Sequence, residues 1–566
     1  WLLDVDGGRH RPLTSGQGSD GAPVWSPNGN RIAWTSGREG SAQIWVRWMD
    51  TGQSAVITQL TEAPSNLVWS PDGKWLAFTM RVPADTRPLA QMPKKPKGAE
   101  WADDVKVIDR IGYRFDGAGY LQPGYAHVFV LPAEGGTPRQ ITQGDFQHRA
   151  APVWSRDGRS LFVVSNYAKD WEYDPMESEI YRIDIETRRS TPVTDRNGPD
   201  ASPALSPDGK TLAYVGFDDR KMGYHTAHLY VIDLDGSAPR VLTADFDYEI
   251  NNPAWDRGGR GIFFGFEREG IGHIGWVSAK GGKVETIASD FDGTAMGRPY
   301  GGGNFSVSNG RVAYTRGTID RPSDIAVVQR GDKPRVLTNL NSDVLGHKTL
   351  GEVEELWVKS SADGLDVQGW IVKPPNFDPA KKYPLMLEIH GGPFANYGPR
   401  FAPETQLYAS AGYVVLYVNP RGSTSYGSAF ANEIHHNYPN QDYDDLMTSV
   451  DAVIDKRYID TNRLYVTGGS GGGVLTAWIV GHTEGFSEAG VAKPGINWTS
   501  FVLTSDAYPF FAGYWFPQLP WEEGAQAHYW KRSPLAYVGN VTTPTMLITG
   551  ESDYRTPIWP KRPGRN

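Results

Sequence analysis

The 566-residue sequence contains no cysteine, which excludes disulfide bonds, thiolate metal sites and a cysteine nucleophile. A chain without cysteine suits a reducing or an oxidising compartment, so the location stays open between the cytoplasm and the periplasm or exterior. In the glycine-rich stretch at 468–473 no Gly-Lys-Ser/Thr follows and no G-x-G-x-x-G can be laid over it, which argues against a phosphate loop there. We predict no cofactor and no metal.

Long apolar runs and an excess of positive charge are also missing. The longest apolar runs, such as residues 413–418, have the length of a strand and fall short of the ~18 residues of a membrane helix. Lysine and arginine number 56 against 65 aspartate and glutamate, a formal charge of −9. We therefore predict neither nucleic acid nor membrane as a partner. The oligomeric state stays open, with a homo-oligomer among the options.

Glycine is abundant, with 65 residues, and part of it belongs to an internal repeat. The phrase Pro-Val-Trp-Ser-Pro-Asn-Gly at residues 23–29 returns in closely related form at 67–73 and 152–158, and in weaker form at 203–209, 253–259 and 305–310. Most intervals are about 50 residues, and each turn is followed by an apolar strand and then a second strand. One such phrase indicates an ordinary turn, but six in register indicate a repeating fold.

A strand, turn and strand at this period are typical of a β-propeller, in which four-stranded blades pack on their neighbours. Residues 1–5 and 12–14 match the end of another blade. We predict that residues 1–340 form a seven-bladed propeller whose first blade is incomplete.

Near residue 341 the repeat ends and strand and helix patterns alternate, which favours a mostly parallel sheet covered on both faces. Strands are predicted at residues 355–359, 367–372, 385–389, 414–418, 464–467 and 546–549. The clearest helix is predicted at residues 443–454, with Asp444, Asp445 and Asp451 on a solvated face. The fold class is a multidomain β plus α/β protein, with residues 341–566 as an α/β-hydrolase domain.

Ser470 is the candidate nucleophile. With Gly468 and Gly472 it forms a G-x-S-x-G phrase between an apolar strand and an apolar helix pattern, as in the nucleophile elbow of α/β-hydrolases. The elbow raises the hydroxyl above the sheet, points the helix N-terminus at the reacting carbonyl and leaves the Gly471 N–H free to bind an oxyanion. A phosphate loop is the alternative, but no Gly-Lys-Ser/Thr follows.

A second oxyanion donor is predicted from His390-Gly391-Gly392-Pro393, which follows a predicted strand and is of the H-G-G type. His390 is not the candidate base, because in this fold the base follows the acid in the chain. His435 and His436 could be metal ligands, but no third ligand stands at a usable spacing, and we interpret them as surface histidines.

Asp553 is the candidate acid because it directly follows a predicted strand, where a carboxylate can orient the base. Glu551 is the alternative acid. No histidine follows Asp553 in the sequence, and residues 559–566 are basic, rich in proline and glycine, and without an apolar period. We therefore expect a hydrolase sheet without its C-terminal strand and helix, and a chain inactive for want of its base. The competing hypothesis is that His435, His436 or His528 serves as a substitute base, or that a partner chain supplies one.

The repeat, the H-G-G-P phrase, Asn419-Pro420-Arg421-Gly422-Ser423, the Ser470 elbow and the residues from Gly550 to Pro557 together resemble the prolyl oligopeptidase family of serine peptidases. The resemblance covers nearly the whole chain and is strongest to its acylaminoacyl-peptidase and bacterial dipeptidyl-peptidase branches. It implies Ser470 as nucleophile, Asp553 as acid, and Gly471 with the His390–Gly391 segment as oxyanion hole. Gly471 departs from the family, which usually has tyrosine there.

Aromatic residues crowd the stretch between the elbow and Asp553. They are equally compatible with core packing and with a substrate pocket, for which the candidates are Tyr508, Phe511, Tyr514 and Trp515. The leading functional hypothesis is a serine peptidase that cleaves oligopeptides through an acyl-enzyme, with the propeller restricting access. The alternatives are an esterase with the same triad and a propeller-based binding protein without activity.

Overall fold

The computed structural model describes residues 1–6, 8–38, 40–84, 93–100, 106–293 and 297–558. The chain divides into two compact units, Thr14–Arg196 and a larger unit of Trp1–Leu13 with Asn197–Asn566. The basic stretch at 559–566 lies outside the described residues. Among the described helices, none has the length and apolar character needed to cross a membrane.

The first two strands form a hairpin that belongs to the larger unit, β1 (Leu2–Leu3) and β2 (His10–Arg11). The described residues of the smaller unit then form three four-stranded antiparallel sheets. These are β3 (Asp20–Trp25), β4 (Arg31–Ser36), β5 (Gln43–Trp48) and β6 (Ser54–Val56); β7 (Ser65–Trp69), β8 (Trp75–Pro83), β11 (Gly124–Pro132) and β12 (Arg139–Gln140), with the hairpin β9 (Arg114–Phe115) and β10 (Gly119–Tyr120) inserted; and β13 (Val153–Trp154), β14 (Ser160–Ser165), β15 (Glu179–Asp184) and β16 (Ser190–Pro192).

The larger unit contains three further sheets of this kind among its described residues. They are β17 (Asp200–Leu205), β18 (Thr211–Gly216), β19 (His228–Asp233) and β20 (Arg240–Val241); β21 (Asn251–Trp255), β22 (Gly261–Arg268), β23 (Ile271–Ser278) and β24 (Glu285–Ala288); and β25 (Phe305–Ser308), β26 (Arg311–Thr318), β27 (Arg321–Gln329) and β28 (Arg335–Val336). The predicted propeller is confirmed in that the described residues form six blades, one for each repeat. A seventh blade stays a prediction.

The end of the repeated phrase forms the turn between the first and second strands of each blade. In the second copy the Ser70 hydroxyl donates to Asp72 (2.6 Å) and accepts the backbone N–H of Trp75 (2.9 Å), while Gly73 takes φ 69°. The same serine–aspartate bond recurs at Ser155 and at Ser206, each at 2.6 Å. Serine, aspartate and glycine are thus needed together for one tight turn.

In three of the six copies the repeated tryptophan joins its blade to the one before it. The indole N–H of Trp69 donates to the Val24 carbonyl (3.1 Å), and that of Trp255 donates to the Ala204 carbonyl (2.8 Å). Val24 and Ala204 directly precede Trp25 and Leu205, which stand at the tryptophan position of the preceding copy. The indole therefore satisfies a polar group at a boundary that is otherwise apolar.

The predicted α/β sheet is also confirmed. Its seven described strands run in the order β29, β30, β32, β31, β33, β34, β35, with the pairs from β32 to β35 parallel. They are β29 (Val353–Lys359), β30 (Asp366–Val372), β31 (Tyr383–Ile389), β32 (Val414–Asn419), β33 (Ile459–Gly469), β34 (Glu488–Ala492) and β35 (Thr545–Ile548). The helices are α1 (Ser342–Leu345), α2 (Pro403–Ser410), α3 (Ser428–Asn432), α4 (Asp442–Ile454), α5 (Gly471–His482), α6 (Trp498–Thr504), α7 (Tyr508–Tyr514) and α8 (Ala525–Arg532), and the 3-10 helices are Trp171–Tyr173 and Pro534–Asn540.

The interpretation of the α4 aspartates as a solvated face is wrong for Asp445. Its side chain is fully buried and binds the buried guanidinium of Arg421 (2.9 Å), which also binds Asp363 (2.8 Å). Arg421 lies two residues beyond the end of β32. The buried ion pair therefore connects α4 to the carboxyl end of this strand. Helical periodicity could not reveal this because the partner lies 24 residues away.

Candidate active site

Ser470 lies between β33 and α5 with φ 57° and ψ −118°, a strained conformation for a residue with a side chain. Its backbone N–H donates to the Ala492 carbonyl (3.0 Å) at the end of β34. The flanking glycines are required: a Cβ on Gly468 would lie 2.4 Å from the Gly472 oxygen, and one on Gly472 would lie 2.1 Å from the Ile389 oxygen. The strand, the tight turn and the helix N-terminus form an elbow as predicted.

His390 is a buried anchor for the H-G-G loop. Its Nδ1 lies 2.7 Å from the Gly391 carbonyl and its Nε2 lies 2.9 Å from the Ser423 hydroxyl. Burial lowers the pKa of His390 to about 4, so the imidazole is neutral. A neutral ring has a single N–H, which donates either from Nδ1 to the Gly391 carbonyl or from Nε2 to the Ser423 oxygen, whose own proton goes to the Pro420 carbonyl (2.6 Å).

The loop after His390 brings two glycines to the elbow. A Cβ on Gly391 would lie 3.3 Å from the Ser470 Cβ, and the Gly391 N–H donates to the Tyr300 hydroxyl (2.6 Å). A Cβ on Gly471 would lie 3.1 Å from the nitrogen of Gly392. The amide of Gly392, which the sequence interpretation did not select, therefore lies closest to the start of α5.

Asp553 is buried in the loop after β35. Its carboxylate accepts the N–H (2.8 Å) and the hydroxyl (3.1 Å) of Thr556 and lies 3.6 Å from the ammonium of Lys493. The residue before Lys493 is Ala492, the last residue of β34, whose carbonyl accepts the Ser470 N–H. Asp553 therefore lies at the same end of the parallel strands as the elbow. The alternative acid, Glu551, is exposed.

The histidine pair is not a surface feature, which corrects the sequence interpretation. His435 is half-buried, and its Nδ1 accepts the Gly223 N–H (3.1 Å). His436 stacks on it with ring centroids 3.7 Å apart, and burial lowers the pKa of both. Burial also lowers the pKa of His528. The described residues contain no group of three side chains able to hold a metal.

Two of the four candidate pocket residues line a narrow cavity beside the elbow. Tyr514 and Trp515 line it together with Phe394 and Tyr438, and the volume left between these side chains is about 10 Å³. The Tyr438 hydroxyl donates to the Gly471 carbonyl (2.8 Å), which connects the cavity to the start of α5. The other two candidates, Phe511 and Tyr508, pack in and against the hydrophobic core.

A propeller loop reaches this cavity within the larger unit. Lys221, between β18 and β19, donates to the Tyr514 hydroxyl (2.8 Å) and pairs with Asp219 (2.7 Å). A Cβ on Gly223 would lie 2.5 Å from the Phe394 ring, so the loop approaches at a position where only glycine fits. No signal in the sequence connects these residues to the aromatic stretch, which lies nearly 300 residues further on.

Comparison with known proteins gives three family matches. Residues 399–561 match the prolyl oligopeptidase family, residues 1–95 the TolB beta propeller domain, and residues 100–214 the dipeptidyl peptidase IV N-terminal region. The chain is 29% identical to the uncharacterized peptidase YuxL of Bacillus subtilis, over 99% of this chain and 85% of the relative. It is 27% identical to dipeptidyl-peptidase 5 of Porphyromonas gingivalis, over 98% of this chain and 81% of the relative.

Among solved structures, Pyrococcus horikoshii acylaminoacyl peptidase has a similar fold, with a TM-score of 0.78 at 22% identity over 95% of this chain and 80% of that one.

Proposed function

The chain belongs to the prolyl oligopeptidase family, and from this membership we propose that it hydrolyses peptide bonds of oligopeptides with Ser470 as nucleophile. The observation that carries the proposal is the strained Ser470 at the N-terminus of α5, facing the H-G-G loop. Domain limits at 340 and 341 and a seven-bladed propeller are part of the proposal. The hairpin β1–β2 supports a further blade, because Asp6 and the Val5 carbonyl contact Arg311 and Arg335 at the edge of the β25–β28 sheet.

In the proposed reaction the Ser470 oxygen attacks the peptide carbonyl, and a base takes the hydroxyl proton. The oxyanion receives the N–H groups of Gly471 and the H-G-G loop. The C–N bond then breaks, the departing amine takes the proton, and water hydrolyses the acyl-enzyme. Asp553 has the role of holding the base and stabilising its cation.

The base is the incomplete part of this proposal. None of the 12 histidines of the sequence follows Asp553, and His435 already accepts a backbone N–H. The extended version is defined as the same chain followed by an in-frame segment that contains a histidine. We expect the 566 residues alone to turn over substrate several orders of magnitude more slowly than this extended version. Equal turnover by the two would overturn this part.

A fluorophosphonate probe and a peptide library test the proposal. In the extended version we expect covalent labelling and peptide cleavage, loss of both in Ser470→Ala, and retention of both in the control Ser487→Ala. Absence of labelling in the extended version would favour the inactive binding protein. The esterase alternative predicts a high kcat/KM on an ester and none on the matched amide.

For the cleaved bond we propose a preference for apolar or aromatic residues. Tyr514 and Trp515 support it, because they line the cavity that adjoins Gly471. A matched series of peptides that differ only in the residue before the scissile bond measures the preference. A marked preference for Asp or Lys would contradict it.

A further inference from the structure

A short propeller segment between β24 and β25 lies directly against the H-G-G loop. The Pro299 carbonyl accepts the Gly398 N–H (3.0 Å), the Gly297 carbonyl accepts the Glu404 N–H (3.2 Å), and Tyr300 forms an isolated β-bridge with Tyr397. These contacts are all within the larger unit.

Glycines on the C-terminal side of this segment allow the close approach. A Cβ on Gly301 would lie 1.9 Å from a Glu267 carboxylate oxygen, and Gly303 has φ 118° with Phe291 2.8 Å from the position of its Cβ. Side chains at these positions would collide with Glu267 and Phe291 of the propeller and displace the segment from its present position.

The Tyr300 hydroxyl is the hydrogen-bond partner of the loop. It accepts the Gly391 N–H at 2.6 Å, and it lies 3.3 Å from the point where a Cβ on Gly391 would stand. The Cβ of Ser470 lies at the same distance from that point. A propeller side chain is therefore a neighbour of the candidate nucleophile.

Buried neighbours hold the Tyr300 ring in place. It packs edge-on against Tyr397, with ring centroids 4.8 Å apart, and the Tyr397 hydroxyl donates to Glu388 (3.1 Å). Glu388 in turn lies 2.9 Å from the Nε of Arg298, two residues before Tyr300. Burial raises the pKa of Tyr300, so the group is a neutral phenol whose oxygen accepts hydrogen bonds.

We propose that Tyr300 is a positioning residue for the oxyanion hole: by accepting the Gly391 N–H it fixes the His390–Gly391 peptide plane, one peptide before the Gly392 amide. The next amide, that of Gly392, has its nitrogen beside the start of α5, where the Gly471 N–H also lies. Without the hydroxyl, Gly391 loses its acceptor and the loop gains orientations in which the two amides no longer converge. This inference rests on the proposed function of Ser470.

The variant Tyr300→Phe, made in the extended version as its parent, tests the inference because it keeps the ring and removes only the acceptor. We expect the rate of fluorophosphonate labelling and kcat to fall about tenfold or more, with KM changed by less than about threefold, since the lost interaction acts in the transition state. Amide hydrogen exchange in the peptide that covers residues 388–396 should become faster. The control is Tyr314→Phe, whose hydroxyl bonds Asp290 (2.8 Å) in a propeller blade; it should leave labelling, kcat and exchange as in the parent.

Labelling at the parent rate, or faster labelling, would overturn the positioning role; the second result would mean that the hydroxyl obstructs the amide. If the parent itself is not labelled, the proposed function fails. The amide hydrogen exchange of residues 388–396 then tests by itself whether Tyr300 holds the H-G-G loop. Unchanged exchange in Tyr300→Phe would then overturn the inference.

Discussion

The carboxylate of Asp553 accepts two hydrogen bonds from Thr556, and the proposed triad gives it an imidazole as a further partner. In the extended version, we expect Asp553→Asn to lower kcat by about 10⁴-fold, because the base loses the group that orients it. In the 566 residues alone the same change should have little effect, since under the proposed function they lack the base that Asp553 orients. The control Glu551→Gln, at an exposed carboxylate, should stay within about twofold of the parent in both backgrounds.

Steady-state kinetics with one amide substrate measures this prediction. Similar losses from Asp553→Asn and Glu551→Gln would contradict the assignment of the acid.

At the scale of the element, the junction of β33 and α5 depends on the absence of a side chain at Gly472. A methyl group there would lie 2.1 Å from a backbone oxygen of Ile389, which cannot move without displacing β31. We expect Gly472→Ala to lower the free energy of unfolding by about 3 kcal/mol and to abolish labelling of Ser470. Thermal or denaturant unfolding measures the first effect.

The matched control is Gly513→Ala in α7, where a Cβ would meet nothing within 4 Å. This change should be neutral or stabilising by up to about 1 kcal/mol, because alanine favours the helix. A stability loss at residue 513 as large as at residue 472 would show that the elbow is not the cause.

Asp442, the first residue of α4, gives this helix a pH-dependent stability. Its side chain is almost fully buried, Oδ1 accepts the N–H groups of Asn440 and Tyr443, and burial raises its pKa to about 7. A raised carboxyl pKa means that the folded state holds the proton more tightly than the unfolded state. Its stabilising contribution is therefore complete below about pH 4 and is lost as the pH rises through 7.

We expect Asp442→Asn to reduce this pH dependence. Between pH 4 and 8 the parent should lose up to about 4 kcal/mol of stability through this group, and the amide variant should not. The melting temperature of both proteins across this range is the measurement. Asp455→Asn, an exposed carboxylate at the end of the same helix, is the control and should follow the parent. Parallel curves for parent and Asp442→Asn would contradict the prediction.

At the scale of the whole molecule, the blades of the larger unit are bonded to its hydrolase domain close to the aromatic cavity. Asn432, at the end of α3, accepts the Tyr224 N–H (3.1 Å) and donates to the Tyr224 carbonyl (2.9 Å). Asp247, in a neighbouring blade loop, accepts the N–H of Ser428 (2.8 Å). The proposed restriction of peptide access to Ser470 would depend on such contacts.

We expect Asn432→Ala to raise kcat/KM on long peptides by about tenfold and to leave short peptides nearly unchanged. Two hydrogen bonds worth about 1 kcal/mol each are lost, which favours open arrangements by at least this factor. The control Asn462→Ala removes an exposed amide in β33. An equal change on short and long peptides would count against restricted access.

The amino-acid sequence by itself determined the features that a single segment specifies. These features are the Ser-Pro-Asp-Gly turns, the Ser470 elbow and the H-G-G loop. Each depends on backbone conformations that only certain residues adopt, so the residue types and their order predict it. Pairings across the chain were decided by the tertiary structure alone. Arg421 with Asp445, His435 with Gly223, and Tyr300 with Gly391 each join segments whose patterns indicate polarity but not a partner. Burial and hydrogen bonding of such groups depend on which distant segment faces them, and only the folded chain defines that.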